Sequence, residues 1–296
     1  MTRAAMKIIE QFDIESFNAV LQIGAWYDLT DTGKLVASYH DGNLATRLRS
    51  PYGYPQIPRK HINKALEYER KLYDKIECIF PMSRWLADSF CNDFGVNPNK
   101  VFPVGAGINL PRIMEPDSHR SETKKILFVG KDFRRKGGKT LLDAFSIVRK
   151  HIHDAELIIA GPDLENVPDG VHCEGFLSKA NNEGMKRLLK LYAEANVFVL
   201  PTLYEPFGIA YAEAMAHRLP CIGTSICAIP EIIDDGKTGM IVNPGDYRML
   251  ADAIITLLED IDLRNSMGDL GYKKYYANYR WDIVAAKITG ILEKHV

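Results

Sequence analysis

Five short runs in the second half of the chain are apolar throughout and rich in Val, Ile and Leu: 126–129, 157–160, 197–200, 220–223 and 240–242. Between them, at about 137–150, 184–195, 208–217 and 246–260, apolar residues recur at helical spacing. A strand without a polar face has to be covered on both sides, and a helix after each strand supplies the cover. The pattern therefore predicts a parallel sheet with helices on both faces.

Residues from about 120 onward read as one complete Rossmann-like domain. The segment before it is also α/β, with candidate strands at 20–24, 35–40, 78–81 and 101–104 and helices near 59–77 and 84–94. A polar, aperiodic stretch at 111–123 reads as a linker, which sets the domains at 1–111 and 112–296. At 296 residues, with 46% hydrophobic and 25% charged, the chain has enough apolar material for a sizeable core in each. A formal charge of −1, from 37 basic and 38 acidic residues, excludes a polybasic nucleic-acid binder, so no nucleic-acid partner is expected. Cys78, Cys91, Cys173, Cys221 and Cys227 form no Cys-x-x-Cys, and an odd count suits a reduced compartment. Arg3, Lys7 and Glu10 rule out an apolar signal core, and no run approaches the ~18 apolar residues of a membrane span. The chain reads as cytoplasmic.

Positive charge is evenly spread except in KKILFVGKDFRRKGGK, 124–139, which holds seven of the 37 basic residues where an even spread puts about two. Strand 126–129 ends at Gly130, the basic loop follows, and Gly137-Gly138 opens the next helix. Ligands of open parallel sheets sit at the carboxyl ends of strands, where helix N-termini offer free N–H groups to anions. A basic loop there suits a phosphate or diphosphate. Gly138-Lys139-Thr140 imitates the end of a P-loop, but Phe133 stands where the first glycine is required. Gly105-Ala-Gly107 likewise opens a dinucleotide fingerprint that fails at Leu110. Asp260-Ile-Asp262 reads as a solvated helix end, and His151 and His153 as surface residues, so no metal site is expected.

The second constellation is VFVLPTLYEPFGIAYAEAMAHRLPCIGT, 197–224. A short loop after the strand carries Glu205, and a helix begins around Phe207-Gly208, with Glu213 on its second turn. Gly208 lets an anion approach backbone amides at the positive end of the helix. Carboxylates repel phosphate, so Glu205 and Glu213 point to a hydroxyl-rich ligand such as a sugar or ribose. Ala210, Ala212, Ala214 and Met215 leave Glu213 little polar face to share.

The pairing of VGKDFRRKGG with Glu205-Pro-Phe-Gly-Ile-Ala-Tyr-Ala-Glu213 resembles the retaining glycosyltransferases of family 4, the group 1 glycosyl transferases of GT-B fold. Their hallmark, two Glu separated by seven residues, is met by Glu205 and Glu213. Similar features are AELIIAGP at 155–162, YAEANVFV from Tyr192, EIIDDGKTG from Glu231 and NPGD from Asn243. The resemblance runs from about residue 76 to the end. It implies two Rossmann-like parallel-sheet domains facing a cleft, with the closing helix returning to the first.

It also implies roles. Arg135 and Lys136 would bind the donor's diphosphate and stabilise charge as it leaves. Amides around Phe207 and Gly208 would face the donor, Glu205 the sugar hydroxyls and Glu213 the ribose. His40, at the end of KLVASYH, would contact the donor sugar beside Asp41, and Gly107 is a candidate donor neighbour. The implied activity is metal-independent transfer of a hexosyl group, with retention, from a nucleotide-diphosphate sugar of UDP or GDP type, and no further cofactor. The acceptor would be a glycan or a lipid-linked molecule, as in polysaccharide biosynthesis.

One departure is that MTRAAMKIIEQFD shows neither the opening strand nor the Gly-rich loop of such first domains, so the N-terminal domain is expected to be shortened. A nucleotide-sugar-binding protein without transferase activity, its first domain completed by a partner chain, is the alternative. An epimerase or a phosphorylase of the same fold is disfavoured by the glutamate pair. Helix 59–77 is rich in Lys and Arg and could rest on anionic lipid at the inner membrane face. Glu67, Glu69, Asp74 and Glu77 interrupt its charge, and a solvated helix is the preferred reading.

Overall fold

The computed structural model describes residues 2–9, 11–52, 57–117 and 123–295. The chain separates into two units, residues 1–106 with 281–296, and residues 107–280. That division falls at 106/107, where the linker reading had set 111/112. The expected linker has no helix or strand over 111–117, and 118–122 lie outside the described residues.

The first unit contains α1 (Thr2–Ile9), β1 (Ala19–Ile23), β2 (Leu35–His40), α2 (Leu44–Arg49), α3 (Arg59–Lys75), β3 (Cys78–Pro81) and α4 (Arg84–Phe94). Its strands pair in parallel in the order β1-β2-β3. Both faces of the sheet are covered: Val36 and Ile79 join Leu72, Tyr73, Leu86 and Phe90 on one side, while Ala37, Tyr39 and Phe80 pack elsewhere. The Ser83 hydroxyl accepts from the Leu86 N–H to start α4, and Gly95, at φ 73°, ends it. The strand expected at 101–104 is reduced to a single bridge, Val101 to Ile79. Phe102 and Val104 still donate to the Ile79 and Pro81 carbonyls, at 2.8 and 3.0 Å. Pro81 has no N–H to return to the Phe102 carbonyl, so a regular ladder cannot form.

The second unit runs β4 (Lys125–Val129), α5 (Gly138–His151), β5 (Glu156–Ala160), β6 (Val171–Gly175), α6 (Asn182–Glu194), β7 (Val197–Val199), α7 (Ile209–Ala216), β8 (Cys221–Thr224), α8 (Ile229–Ile232), β9 (Gly239–Val242), α9 (Tyr247–Glu259) and α10 (Ile261–Asn278). The sheet order is β6-β5-β4-β7-β8-β9, with every pair parallel. Strand order reverses between β4 and β7, and the crevice above such a reversal is where doubly wound sheets bind ligands. Buried Asn196 sets this junction: its Oδ1 accepts from the Lys125 N–H at 2.7 Å, and its own N–H donates to the Lys125 carbonyl at 2.8 Å.

Three elements of this unit escape the sequence pattern; one, α8, is a single turn of four residues. β6, VHCEG, is an edge strand whose polar residues His172 and Glu174 are exposed and half-buried. α10 has Gly268 and Gly271 in its interior, yet a Cβ at Gly268 would lie 2.3 Å from the Arg218 carbonyl oxygen, so close packing dictates that glycine. The closing helix, α11 (Trp281–Leu292), groups with the first unit, where Val284 and Ile288 bury against Ala37, Tyr39 and Phe80. Among the described residues no helix is long and apolar enough to cross a membrane.

Candidate functional site

The loop after β4 turns sharply. Gly137 caps α5 at φ 75°, and a Cβ there would stand 1.8 Å from the Pro201 carbonyl oxygen, so the loop lies directly on the segment that follows β7. Asp132 holds the turn by accepting from the Arg135 N–H at 3.1 Å. The Arg135 carbonyl in turn accepts from the Leu203 N–H at 2.8 Å and the Thr202 hydroxyl at 3.2 Å. The two loops at the strand reversal are thus stitched together through backbone atoms.

This stitching brings Arg135, Lys136 and Glu205 into one cluster. Arg135 Nη1 donates to the Tyr204 carbonyl at 2.8 Å and lies 3.5 Å from Glu205 Oε2, which Lys136 Nζ also contacts. The Lys136 and Glu205 side chains are each 13% exposed. Burial first, then the Arg135 guanidinium, pull the Lys136 ammonium down to about 7, against the opposing pull of Asp132. The Glu205 carboxylate in contact favours the charged form of the pair. A cation held this way, beside a second cation and at a strand end, is suited to an arriving diphosphate.

α7 begins immediately after this loop. Gly208 caps it at φ 88°, where a Cβ would meet the Tyr211 ring at 2.8 Å and Ile229 at 3.0 Å. Phe207 sets its ring edge-on to Tyr279 at 6.2 Å. Glu213 is 1% exposed, because this helix is buried on nearly every side. Its carboxylate is held by Lys179 and accepts from the Tyr192 hydroxyl at 3.2 Å. Burial, then Glu213, push the Tyr192 hydroxyl far above its ordinary value, which keeps it a donor. Replacing Glu213 with Ala should lower stability by about 1–3 kcal/mol, since Tyr192 loses its buried partner; urea unfolding measures this, and an unchanged midpoint would show that the pair contributes nothing.

Sequence reasoning did not find Lys179, which pairs with Glu213 and lines a cavity of about 310 Å³ with Lys131 and Phe176. Lys131 Nζ stands 5.2 Å from the centroid of the exposed Phe176 ring. The only available signal was that a glutamate on an apolar helix needs a cation; nothing indicated which one. Gly107 is buried and opens the second unit, where the neighbouring Ile108 N–H donates to the Tyr279 carbonyl at 3.0 Å. His40 belongs to the first unit, ends β2 and is buried. Asp260 caps α10 by accepting from the Leu263 N–H at 2.8 Å, and His151 pairs with Glu259 at the surface.

A family model described as glycosyl transferases group 1 matches residues 123–260. The phosphatidyl-myo-inositol mannosyltransferase of Mycobacterium leprae is 32% identical over 283 residues, which cover 92% of this chain and 70% of that protein. The chain belongs to the group 1 glycosyl transferases. A GDP-mannose-dependent phosphatidylinositol monomannoside mannosyltransferase of Mycobacterium tuberculosis is 27% identical, over 75% of this chain and 63% of that one. Of three further curated relatives the chain spans 62%, 45% and 57% of the length. Among solved structures, a sucrose-phosphate synthase from Thermosynechococcus elongatus aligns with a TM-score of 0.78 at 18% identity, over 98% of this chain and 76% of its own. That likeness shows the fold, GT-B. As a member of this family, the group 1 glycosyl transferase described here has its paired cations at the strand reversal, inside the matched segment.

Proposed function

We propose that the chain transfers a hexosyl group from a nucleotide-diphosphate sugar of UDP or GDP type to a glycan or lipid-linked acceptor, with retention and without a metal ion. The observation that carries this reading is the Arg135–Lys136–Glu205 cluster at the strand reversal. When the bond between the sugar's anomeric carbon and the diphosphate breaks, negative charge builds on the departing phosphate oxygen. Arg135 and Lys136 are fixed cations aimed at that charge, and they stabilise it without reorganising. The acceptor hydroxyl attacks from the same face and passes its proton to the departing phosphate.

The remaining residues take their parts around this centre. Glu205, released from Lys136 as the diphosphate arrives, accepts hydrogen bonds from sugar hydroxyls. The free N–H groups after Gly208 meet the donor's oxygens, with Phe207 beside them. Glu213 offers its carboxylate to the ribose, and the cavity lined by Lys131, Phe176 and Lys179 takes the nucleoside. Gly107 is proposed as a further donor neighbour. In the first unit, His40, whose buried Nε2 has no hydrogen-bond partner among the described residues, is proposed as a contact of one sugar hydroxyl. A GDP-mannose donor, as in the name of the M. tuberculosis relative, is one member of this donor class.

The proposal gives a pH profile. Lys136 in the free protein is charged below about pH 7 and neutral above it, far under its ordinary 10.5. An anionic donor needs the charged form, so kcat/KM should be level below pH 7 and fall about tenfold per unit above it. Lys136→Arg should remove that fall. A wild-type profile flat from pH 6 to 9 would contradict the assignment. Donor hydrolysis and transfer, measured beside titration with UDP- and GDP-sugars, test the activity itself; binding without either would leave a binding protein.

A further inference from the structure

The two oxygens of the Glu213 carboxylate are held in unlike ways. Oε2 accepts from the Tyr192 hydroxyl at 3.2 Å, while Oε1 is in contact with the Lys179 ammonium. Tyr192 lies in the last turn of α6 and is 0% exposed. Lys179 lies in the loop before α6, and its side chain is 35% exposed.

The Tyr192 side is rigid. Its ring stacks on His217, with centroids 5.0 Å apart and planes 12° from parallel, and the Phe198 ring lies 6.1 Å away. His217 is itself locked. It is fully buried, and its Nδ1 donates to the Glu213 carbonyl at 2.8 Å, since a carbonyl can only accept. His217 follows Glu213 by four residues, so the two lie on one side of α7, and Tyr192 packs against that side. The Tyr192 hydroxyl keeps its proton, because burial and the Glu213 charge both oppose its loss.

The Lys179 side is exchangeable. A lysine has a flexible four-carbon stem and a strongly hydrated head, so an ammonium already partly in solvent leaves its partner readily. The same side chain lines the cavity of about 310 Å³ beside it, where an arriving ligand would displace it. Oε1 must then find another donor at once, because a buried carboxylate without one is costly. An anion is repelled there; a hydroxyl is not.

The last torsion of a glutamate is broad and roughly two-fold, so the backbone alone does not set the plane of the carboxylate. The bond from Tyr192 sets it, and thereby keeps Oε1 on the Lys179 side. Tyr192 does not line the cavity, so it acts through Glu213 and not on a ligand directly.

We propose that Tyr192 is a positioning residue: it fixes the Glu213 carboxylate through Oε2, so that Oε1, released by Lys179, accepts one ribose hydroxyl of the incoming nucleotide. The ribose contact rests on the donor reading above; the unequal roles of the two oxygens rest on the packing around Tyr192.

The test is calorimetric titration of the whole chain with UDP and GDP and with their 2′-deoxy and 3′-deoxy counterparts. Wild type is compared with Tyr192→Phe and with Tyr211→Phe, which deletes another buried hydroxyl, the one bonded to the Leu200 carbonyl. In wild type the ribonucleotide that binds is expected to be about tenfold or more tighter than at least one deoxy form, the usual worth of a hydrogen bond to a charged group. Tyr192→Phe should cut that ratio to about threefold or less, while Tyr211→Phe keeps it. Lys179→Gln, on an exposed loop, supplies an answer even if Tyr192→Phe does not fold. Whatever it does to the affinities, the ratio should hold, because Tyr192 still orients Glu213. An undiminished ratio in Tyr192→Phe, an equal fall in Tyr211→Phe, a collapse in Lys179→Gln, or no discrimination in wild type overturns the proposal. No binding by UDP or GDP would instead remove the donor reading, and this inference with it.

Discussion

Lys136→Ala is expected to lower kcat/KM by roughly a hundred- to a thousand-fold, the loss usual when one fixed group facing developing charge is removed. The reason is positional. Lys136 reaches the strand reversal on a loop tied by a backbone hydrogen bond to the loop carrying Glu205. The substitution should also destabilise the fold, because the largely buried Glu205 loses its nearer cation and keeps only Arg135 at 3.5 Å, at a cost of up to about 3 kcal/mol. The two effects can be separated. Lys136→Met combined with Glu205→Gln removes both charges, so stability should recover in thermal unfolding while turnover stays low. Recovery of turnover with stability would mean that Lys136 acts on the fold and not on the donor. Arg135→Ala should cost several-fold in nucleotide affinity, with some loosening of the Tyr204 segment it holds.

Gly137→Ala is expected to have the largest effect on stability of any single methyl added near the site. The new Cβ would fall 1.8 Å from the Pro201 carbonyl oxygen, a backbone atom that cannot swing away, and φ is 75°. Left-handed strain and forced overpacking together suggest a loss of about 2–5 kcal/mol. Gly245→Ala is the control: φ is 80° and nothing lies within 4 Å, so only the strain of about 1–2 kcal/mol remains. Urea unfolding of the two variants compares these costs directly. Equal losses would show that the contact between the basic loop and the Pro201 segment is not tight. Nucleotide affinity should fall with Gly137→Ala and hold with Gly245→Ala, because only the first displaces Lys136.

Much of this architecture was legible in the residues. β4, β5, β7, β8 and β9 are apolar because both faces of a parallel sheet are covered, and they were visible as runs for that reason. β6 was hidden because its middle residues are not buried and are partly polar, and α10 because Gly268 serves a close approach to Arg218 that lies far away in sequence. The strand at 101–104 was over-read, since Pro81 withholds a donor that the ladder needs.

The site divides in the same way. Local chemistry marked the basic loop, Gly208 and the two glutamates. Their pairing could not be marked: Lys136 meets Glu205 across 69 positions, and Lys179 meets Glu213 across 34 from a loop without a motif. His40 was visible as a residue, while its bare Nε2 depends on packing by Tyr73 and Phe90.

The central claim is that the Arg135–Lys136 loop binds a nucleotide-diphosphate sugar. Isothermal titration of the UDP- and GDP-sugars into the wild-type chain and into Lys136→Ala, at pH 6.5 where Lys136 is charged, tests it most directly. Saturable binding of one donor class that weakens tenfold or more in the variant is the predicted result. No binding by either class, or equal affinity in both proteins, would contradict it.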